Sequence, residues 1–232
     1  MVELSFVMPM YNEQDIVESV VTKMQKAFDK EGLDYELVIV NNGSKDKTGE
    51  ILDRLKSNKI KVVTLRVNQG YGWGIINGLK ACRGDILGYA DGDGQVSPED
   101  MLKVYKKMKE SGNDFAKAIR YARGDGLKRI FASFFYNGLF HLFFLTKYRD
   151  INAKPKFFSR DFYDSLHLRS RDWFIDAEIM LGLVHKPFKV DEVLVKFDER
   201  KAGRSNVRLN TVKEFLTNMI QWRIAKWKNL RL

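Results

Sequence analysis

Apolar and polar positions alternate in blocks along the first half of the chain, and these blocks predict strands and helices in turn. Nearly continuous apolar runs at residues 3–9, 35–42, 60–67 and 85–91 are typical of buried parallel strands. Helical patterns fill the intervals at 13–30, 49–57 and 71–82, and Pro98 begins the next helix, where proline is tolerated. The pattern predicts an α/β fold with a mostly parallel sheet that helices cover on both faces.

The regular alternation stops after residue 120. A phenylalanine-rich helical run at 130–145 is followed by an irregular stretch, a helix near 176–185 and a strand at 188–197. No linker rich in proline, glycine and serine separates the two parts, and the sequence contains no internal repeat. We therefore expect a single domain over residues 1–232, with one half at 1–120 and a second, smaller helical and β region at 121–232.

Composition and charge indicate the cellular environment of the protein and the kinds of partner that it could bind. The single cysteine, Cys82, excludes an internal disulfide and suits a reducing, intracellular environment, and the first thirteen residues suggest no signal peptide. The net charge of +10 is concentrated in residues 200–232, which hold nine lysines and arginines against one acid, Glu214. Such a segment suits nucleic acid, nucleotide phosphates or a membrane surface, and a solvated basic helix is an equal alternative.

Polar clusters follow three of the predicted strands, at residues 11–13, 41–44 and 91–95. Ligands of parallel α/β sheets bind beyond the carboxyl ends of the strands. We therefore expect these three clusters to form one binding site.

The third cluster contains two carboxylates one residue apart, Asp91 and Asp93. Like charges at this spacing repel each other, and a hard divalent cation such as Mg²⁺ or Mn²⁺ removes that cost by taking oxygen ligands. Gly92 between them allows a tight turn and a close approach of the ligand. The sequence thus suggests a site for a metal–diphosphate, although the same letters also suit an ordinary polar turn.

Seven motifs occur in a fixed order along nearly the whole chain: "VMPMYNE", "VIVNNGSKDKT", "NQGYGWGIINGLKACRGDILGYADGDGQ", "KAIRY", "DINAKPKFFSR", "WFIDAEIM" and "FDERKAGRSN". Together they resemble family 2 glycosyltransferases of the GT-A fold, especially the polyprenyl-phosphate mannose and glucose synthases. The resemblance implies a Rossmann-like sheet with a nucleotide-sugar half and an acceptor half. It also implies transfer of a hexose from a nucleotide sugar to an acceptor.

The resemblance also implies roles for particular residues. The nucleotide and its diphosphate would contact Pro9, Tyr11, Glu13, Asn41, Asp91, Gly92, Asp93 and Ser205. Arg120 would contact the sugar nucleotide or the acceptor phosphate. The metal, Mg²⁺ or Mn²⁺, would be held by Asp91, Asp93 and Gln95. Arg200 would lie with Ser205 on a loop that closes over the diphosphate, where a guanidinium can neutralise the leaving group. Gly70, at the entry of the helix 71–82, is also expected near the nucleotide.

Two departures from the family pattern affect these assignments. Members often have "DDGS" where this chain has Asn41, Asn42, Gly43 and Ser44, so an uncharged amide replaces the acid that accepts from the base. UDP and GDP donors therefore both stay open. The loop motif often ends in Ser-Lys, whereas Asn206 follows Ser205 here, and Arg204 is a candidate replacement for the missing cation.

The acceptor decides whether a base is needed. Asp176 is the candidate base if an acceptor hydroxyl attacks the sugar in an inverting transfer, because the proton of that hydroxyl must be removed. A lipid phosphate arrives ionised and needs no strong base. Glu178 would then orient other groups, and capping or pairing with Arg169 or Arg171 is the structural alternative for either acid. The three histidines, His141, His167 and His185, have no metal-ligand spacing and are interpreted as structural.

The favoured interpretation is a metal-dependent inverting hexosyltransferase whose acceptor is a polyprenyl or dolichyl phosphate. The alternatives are transfer to a soluble or glycan hydroxyl, and a non-catalytic basic module that binds nucleic acid or membrane. Trp222 and Trp227 among basic residues would suit nucleic acid. That reading leaves Asp91 and Asp93 without a role, so we expect no nucleic-acid partner.

Residues 130–146 contain no charged side chain and six phenylalanines, but this run is shorter than the roughly 20 residues of a spanning helix. It suits either a core helix or an interfacial helix flanked by Lys128 and Arg129. The C-terminal segment, with its tryptophans and cations, would bind an anionic surface too. We therefore expect a peripheral protein on the cytoplasmic face of a membrane, without transmembrane helices.

Overall fold

The computed structural model describes residues 2–123, 127–184, 186–197 and 217–223. Its strands form one seven-stranded sheet in the order β3-β2-β1-β4-β6-β5-β7. The strands are β1 (Leu4–Met10), β2 (Tyr35–Asn42), β3 (Ile60–Leu65), β4 (Ile86–Tyr89), β5 (Phe115–Arg123), β6 (Lys156–Ser159) and β7 (Val190–Phe197). The helices are α1 (Val17–Lys30), α2 (Thr48–Leu55), α3 (Tyr71–Lys80), α4 (Pro98–Ser111), α5 (Leu127–Phe144), α6 (Arg160–Asp164) and α7 (Ile175–Leu181). Residues 217–223 are also helical.

The sheet is mostly parallel, as the alternating pattern predicts. Strands β3, β2, β1 and β4 run parallel, and so do β5 and β7 at the other end. Only β6, among the described strands, is antiparallel to its neighbours, β4 and β5. The carboxyl ends of β1, β2 and β4 therefore lie side by side at one edge of the sheet.

Side chains of the central strands alternate between two apolar layers. On β2, Leu37 and Ile39 pack into the layer that α1 covers, whereas Val38 and Val40 pack into the layer of α3. Helix α1 is amphipathic and buries one stripe, which includes Phe28. Full burial of one such side chain contributes about 1.5–3 kcal/mol. These two layers hold the strand ends in fixed positions.

The sequence pattern predicts no strand at β5, and it treats the stretch that contains β6 as irregular. Each strand carries a fully buried lysine, Lys117 on β5 and Lys156 on β6, and the two residues are paired in register. A charged residue interrupts the apolar run by which buried strands are recognised. The last predicted helix is also shorter than expected, since α7 ends at Leu181.

Helix α4 is the next helix after the Asp91–Asp93 turn, and it is capped at both ends. The Ser97 hydroxyl accepts a hydrogen bond from the backbone N–H of Asp100 at 3.1 Å, and Pro98 occupies the first turn, as expected. Gly112 ends the helix in the left-handed conformation at φ 64°. The turn is thereby anchored to a rigid helix.

Helix α5 has one buried and one exposed apolar face. Phe140 and Phe144 lie in the core, whereas Phe135 and Leu142 are 63% and 72% exposed, and Leu145, directly after the helix, is 77% exposed. The buried face fits the core helix that was one of the two alternatives, and the interfacial helix stays a prediction for the exposed face. None of the helices in the described ranges combines the length and hydropathy that crossing a membrane requires.

Candidate active site

The loops after β1 and β2 are joined by side-chain hydrogen bonds to backbone groups. The Asn12 N–H donates to Ser44 Oγ at 3.1 Å, and the Lys45 N–H donates back to Asn12 Oδ1 at 2.8 Å. The Glu13 N–H donates to Thr48 Oγ1 at 2.8 Å. The clusters at 11–13 and 41–44 therefore form one unit beside the third cluster, as expected from the strand order.

The two asparagines at the end of β2 have different environments. Asn41 is buried, and its amide oxygen accepts from the Ser44 N–H at 3.1 Å, which closes the turn. Asn42 donates through Nδ2 to the Gly70 carbonyl at 3.0 Å, and its buried Oδ1 has no hydrogen-bond partner within the described chain. The nucleotide contact assigned to Asn41 stays a prediction, and Asn42 adds an acceptor that the sequence does not single out.

The Asp91–Asp93 turn is packed against the end of β1. A Cβ at Gly92 would lie 2.3 Å from Met10 Sδ and 2.9 Å from the Pro9 carbonyl oxygen, so only glycine fits. Asp93 Oδ1 accepts from the Gln95 N–H at 3.1 Å. Both carboxylates are thereby held at the edge of the sheet.

The two oxygens of Asp91 are used differently. Oδ2 lies 3.2 Å from the ammonium of Lys154, while Oδ1 is buried and has no hydrogen-bond partner among the residues that the structure describes. A buried carboxylate oxygen without a partner is costly unless something else binds it. A divalent cation fits this oxygen, and Asp91, Asp93 and Gln95 would hold it.

Protein ligands alone would not complete a metal shell here. Over the described ranges, no group of three or more His, Cys, Asp or Glu residues could hold a metal ion. Mg²⁺ typically binds one or two carboxylates and completes its shell with water and substrate phosphates. The residues present therefore suit a metal that arrives with a diphosphate.

Lys154 links Asp91 to Asp176 in the interior. Its ammonium lies 3.0 Å from Asp176 Oδ2, and it faces the rings of Tyr71 at 4.7 Å and Trp173 at 5.5 Å. Burial alone would lower the pKa of Lys154, but the charges of Asp176 and Asp91 raise it above its ordinary value. This lysine therefore stays charged at neutral pH, and sequence reasoning did not assign it a role.

Asp176 is buried at the centre of this network, with 1% of its surface exposed. It accepts from the hydroxyl of Tyr89 at 2.7 Å and from the ammonium of Lys156 at 2.5 Å. Burial would raise the pKa of Asp176, yet the two lysines hold it below its ordinary value. A general base must reach the acceptor hydroxyl. This geometry does not fit the expected base role and instead suits a buried anchor.

Glu178 has the structural role that was one of its alternatives. Its carboxylate accepts from the backbone N–H groups of Arg169 at 2.9 Å and Ser170 at 2.8 Å. The loop that it anchors touches the entry of α3, because the Arg171 carbonyl accepts from the Trp73 N–H at 3.0 Å. A Cβ at Gly70, whose φ is +114°, would lie 2.3 Å from the same carbonyl oxygen. Gly70 is thus required for this contact.

Arg120 forms a paired contact with Asp150. Its backbone N–H, Nε and Nη2 donate to the Asp150 carboxylate at 3.0, 2.9 and 2.6 Å. Burial would raise the pKa of Asp150, but the Arg120 guanidinium lowers it to about 2. The guanidinium also faces the ring of Phe197 at 5.3 Å. The phosphate contact assigned to Arg120 stays a prediction, since the structure places it in this pair.

Several predicted residues lie outside the described ranges, namely Arg200, Arg204, Ser205, Asn206, Trp227 and His185. Of the remaining histidines, His141 has a structural contact as expected, because its Nε2 lies 2.6 Å from the Tyr148 carbonyl oxygen.

Several known proteins are similar to this chain in sequence. Residues 5–176 match the family described as "Glycosyl transferase family 2". The chain is 29% identical over 234 residues to a dolichol-phosphate mannosyltransferase of Pyrococcus furiosus, covering 97% of this chain and 64% of the relative. It is 30% identical over 210 residues to an undecaprenyl-phosphate 4-deoxy-4-formamido-L-arabinose transferase of Edwardsiella ictaluri, covering 89% and 63%. The chain thus spans less than two thirds of the length of these curated relatives.

The fold has solved counterparts. Glucosyl-3-phosphoglycerate synthase of Mycobacterium tuberculosis, crystallised with Mn²⁺, UDP and glucosyl-3-phosphoglycerate, superposes with a TM-score of 0.74 at 20% identity. The similarity covers 95% of this chain and 79% of that one, and it confirms the expected GT-A fold. Since the family match extends over well more than half of the sequence, the chain belongs to glycosyl transferase family 2.

Proposed function

We propose that this protein transfers a hexose from a UDP- or GDP-linked sugar to a polyprenyl or dolichyl phosphate, with inversion and with Mg²⁺ or Mn²⁺. The observation that carries the proposal is the Asp91 carboxylate at the end of β4, which keeps one buried oxygen without a hydrogen-bond partner in the described chain. Membership of the family supports a nucleotide sugar as the donor. Ligands of parallel α/β sheets bind beyond the carboxyl ends of the strands, which is where Asp91 lies.

The donor would bind across the joined loops after β1 and β2. In this proposal Pro9, Tyr11 and Glu13 would line one side of the donor site and Asn41 the other, and Asp91 and Asp93 would face the diphosphate. The metal, when bound there, supplies positive charge to the diphosphate as it leaves. The chain's own contribution is to fix the two carboxylates, through Gly92 packed on Met10 and through the hydrogen bond from the Gln95 N–H to Asp93. Arg200 and Ser205 would add charge and hydrogen bonds from the closing loop.

The buried state of Asp176 supports a phosphate acceptor. Transfer to a hydroxyl needs a base that reaches it, and Asp176, the sequence candidate, is enclosed by Lys154, Lys156 and Tyr89. A lipid phosphate is already ionised at neutral pH and can attack without a strong base. The names of both curated relatives contain a polyprenyl-type phosphate, which supports the same acceptor class.

A membrane-bound acceptor requires contact with a lipid surface. The exposed apolar face of α5, formed by Phe135 and Leu142, and the exposed Leu145 directly after the helix suit a position at the headgroup boundary. The basic residues of the segment 200–232 would be attracted to anionic lipids on the cytoplasmic face. Both features support a peripheral enzyme.

The test is a transfer assay with purified protein, radiolabelled sugar nucleotides, Mn²⁺ and a short-chain polyprenyl phosphate. We expect label to enter the organic phase with one of the UDP or GDP sugars, and to be lost when a chelator removes the metal. Asp93→Asn serves as the inactive control, because it removes a ligand charge but keeps an oxygen that can accept from Gln95. Label found only in a water-soluble product would replace the lipid acceptor by a soluble one.

A further inference from the structure

Lys154 occupies an enclosed position directly beside Asp91, the proposed metal ligand. Its side chain is 8% exposed, and its ammonium contacts Asp91 Oδ2 at 3.2 Å and Asp176 Oδ2 at 3.0 Å. Tyr71 and Trp173 form a stacked pair, 4.4 Å between ring centroids, and both rings face the same ammonium. Two carboxylates and two aromatic rings thus form a cage around this cation.

The cage fixes the orientation of Asp91. One carboxylate oxygen faces Lys154, and the other is buried without a hydrogen-bond partner in the described ranges. The ammonium therefore holds the carboxylate by Oδ2 and leaves Oδ1 available for a metal ion. Lys154 is itself held from the other side by Asp176, which Lys156 and Tyr89 keep in place.

The same ammonium changes the charge that a metal ion would meet. The carboxylate of Asp91 is already paired with one positive charge before any ligand arrives. A divalent cation on Oδ1 would lie close to that charge, and Coulomb repulsion at such distances near a protein surface is substantial. The attraction of Asp91 for the metal is then reduced, whereas a nucleoside diphosphate would add several negative charges.

We propose that Lys154 is a positioning residue that makes metal binding at Asp91 conditional on the nucleotide diphosphate. The inference rests on the proposed function, because it assumes that Asp91 and Asp93 hold a divalent metal. In the absence of nucleotide, Lys154 weakens the affinity for the metal. With nucleotide bound, the phosphate oxygens offset the lysine charge and complete the metal shell.

The experiment measures Mn²⁺ binding to nucleotide-free protein and to protein saturated with UDP or GDP, by calorimetry or by the EPR signal of free Mn²⁺. We expect Lys154→Met to bind Mn²⁺ alone roughly tenfold more tightly than the wild type, within the range of known coupling between ligands. The gain in Mn²⁺ affinity on adding nucleotide should shrink by a similar factor. Lys154→Arg keeps the charge and should restore the wild-type values.

Lys156→Met is the matched control, because Lys156 contacts the other oxygen of the same Asp176 and belongs to the same buried network. It removes an equal charge without removing the ion pair at Asp91, so its affinity for Mn²⁺ alone should change much less. An equal gain in this control would assign the effect to net charge and overturn the proposal.

Loss of a buried partner could unfold the single variant. The double variant Lys154→Met/Asp176→Asn removes both members of the buried pair, which keeps the net charge, and it should also bind Mn²⁺ alone more tightly. Unchanged or weaker Mn²⁺ affinity in a folded Lys154→Met or double variant would overturn the proposal while leaving the metal site intact. If the wild type binds no Mn²⁺ even with UDP and GDP, the proposed function itself fails.

Discussion

Lys117 on β5 lies opposite Lys156 on β6 as a register partner, and both side chains are fully buried. The Lys117 ammonium donates to the carbonyl oxygens of Ala118 at 2.8 Å and Arg149 at 2.6 Å. Burial lowers the pKa of Lys117 to about 7 and that of Lys156 to about 8. Two like charges at paired positions in the sheet therefore oppose folding when both are protonated.

The first prediction is a pH-dependent stability caused by Lys117. Because its folded pKa of about 7 lies below the ordinary 10.5, the unfolded chain binds more protons between these two values. The free energy of unfolding should therefore rise with pH above 7, by at most about 1.4 kcal/mol per pH unit for each such group. Lys117→Met removes this proton difference, so its stability should rise less steeply in urea unfolding at pH 7, 8 and 9.

Lys59→Met is the control for this measurement, since Lys59 pairs with Asp29 at the surface and is 41% exposed. The free energy of unfolding of Lys59→Met should change with pH as it does in the wild type. Parallel curves for Lys117→Met and the wild type would contradict the assignment of the slope to Lys117.

The buried lysines also mark the limit of what the sequence predicts. The apolar runs predict β1 to β4 and the polar clusters after them, because burial of a strand on both faces leaves a continuous signal. Strands β5 and β6 carry Lys117 and Lys156, whose partners come from distant segments such as Asp176 on α7. A pairing between residues so far apart in sequence cannot be read from local pattern.

The candidate site also contains residues that the sequence predicts and residues that it does not. The Asp91–Asp93 turn was predicted because its residue types are close together and their repulsion needs an explanation. Lys154 was not assigned a role, because its meaning depends on the folded positions of Asp91 and Asp176. The motif "WFIDAEIM" likewise does not indicate that Asp176 is buried.

The second prediction concerns the Arg120–Asp150 pair. Asp150→Asn should destabilise the protein by about 3–5 kcal/mol, because it removes the charge of a carboxylate that pairs with a largely buried guanidinium. The pKa of Asp150 is lowered to about 2, so the stability that it contributes is present above the ordinary value of 3.8 and is lost as the pH falls towards 2. Chemical unfolding at pH 7 and pH 3 would measure both effects.

A surface pair provides the comparison for that variant. Asp53 contacts Lys56 at 2.6 Å, but both side chains are more than half exposed. Asp53→Asn should therefore cost only about 0–1 kcal/mol. An equally small loss for Asp150→Asn would show that the buried pair contributes no more than an exposed one.

The third prediction is the loss of metal-dependent nucleotide binding in Asp93→Asn. A nucleotide at about 100 times its Kd should stabilise the wild type by about 2.7 kcal/mol in the presence of Mn²⁺. The variant should lose this gain and keep its stability without ligand, because the amide oxygen can still accept from the Gln95 N–H. Thermal unfolding with UDP or GDP, with and without Mn²⁺, tests it. Retained Mn²⁺-dependent stabilisation would remove Asp93 from the metal site.

The fourth prediction concerns the exposed apolar face of α5. Leu142 is 72% exposed, so Leu142→Gln should leave the free energy of unfolding nearly unchanged. If this face enters a lipid surface, the variant loses the burial of one leucine, worth about 1.5–3 kcal/mol, and liposome binding should weaken by roughly tenfold or more.

Val67→Gln is the matched control for α5, since Val67 is also exposed, at 64%, but lies between β3 and α3. Flotation with anionic liposomes at low and high salt measures both variants against the wild type. We expect salt to weaken all three, because the cations of residues 200–232 are attracted to the anionic lipids. Only Leu142→Gln should be weaker than the wild type at low salt. Equal flotation of the two variants would mean that α5 does not enter the lipid, and the basic segment would then be the contact to examine.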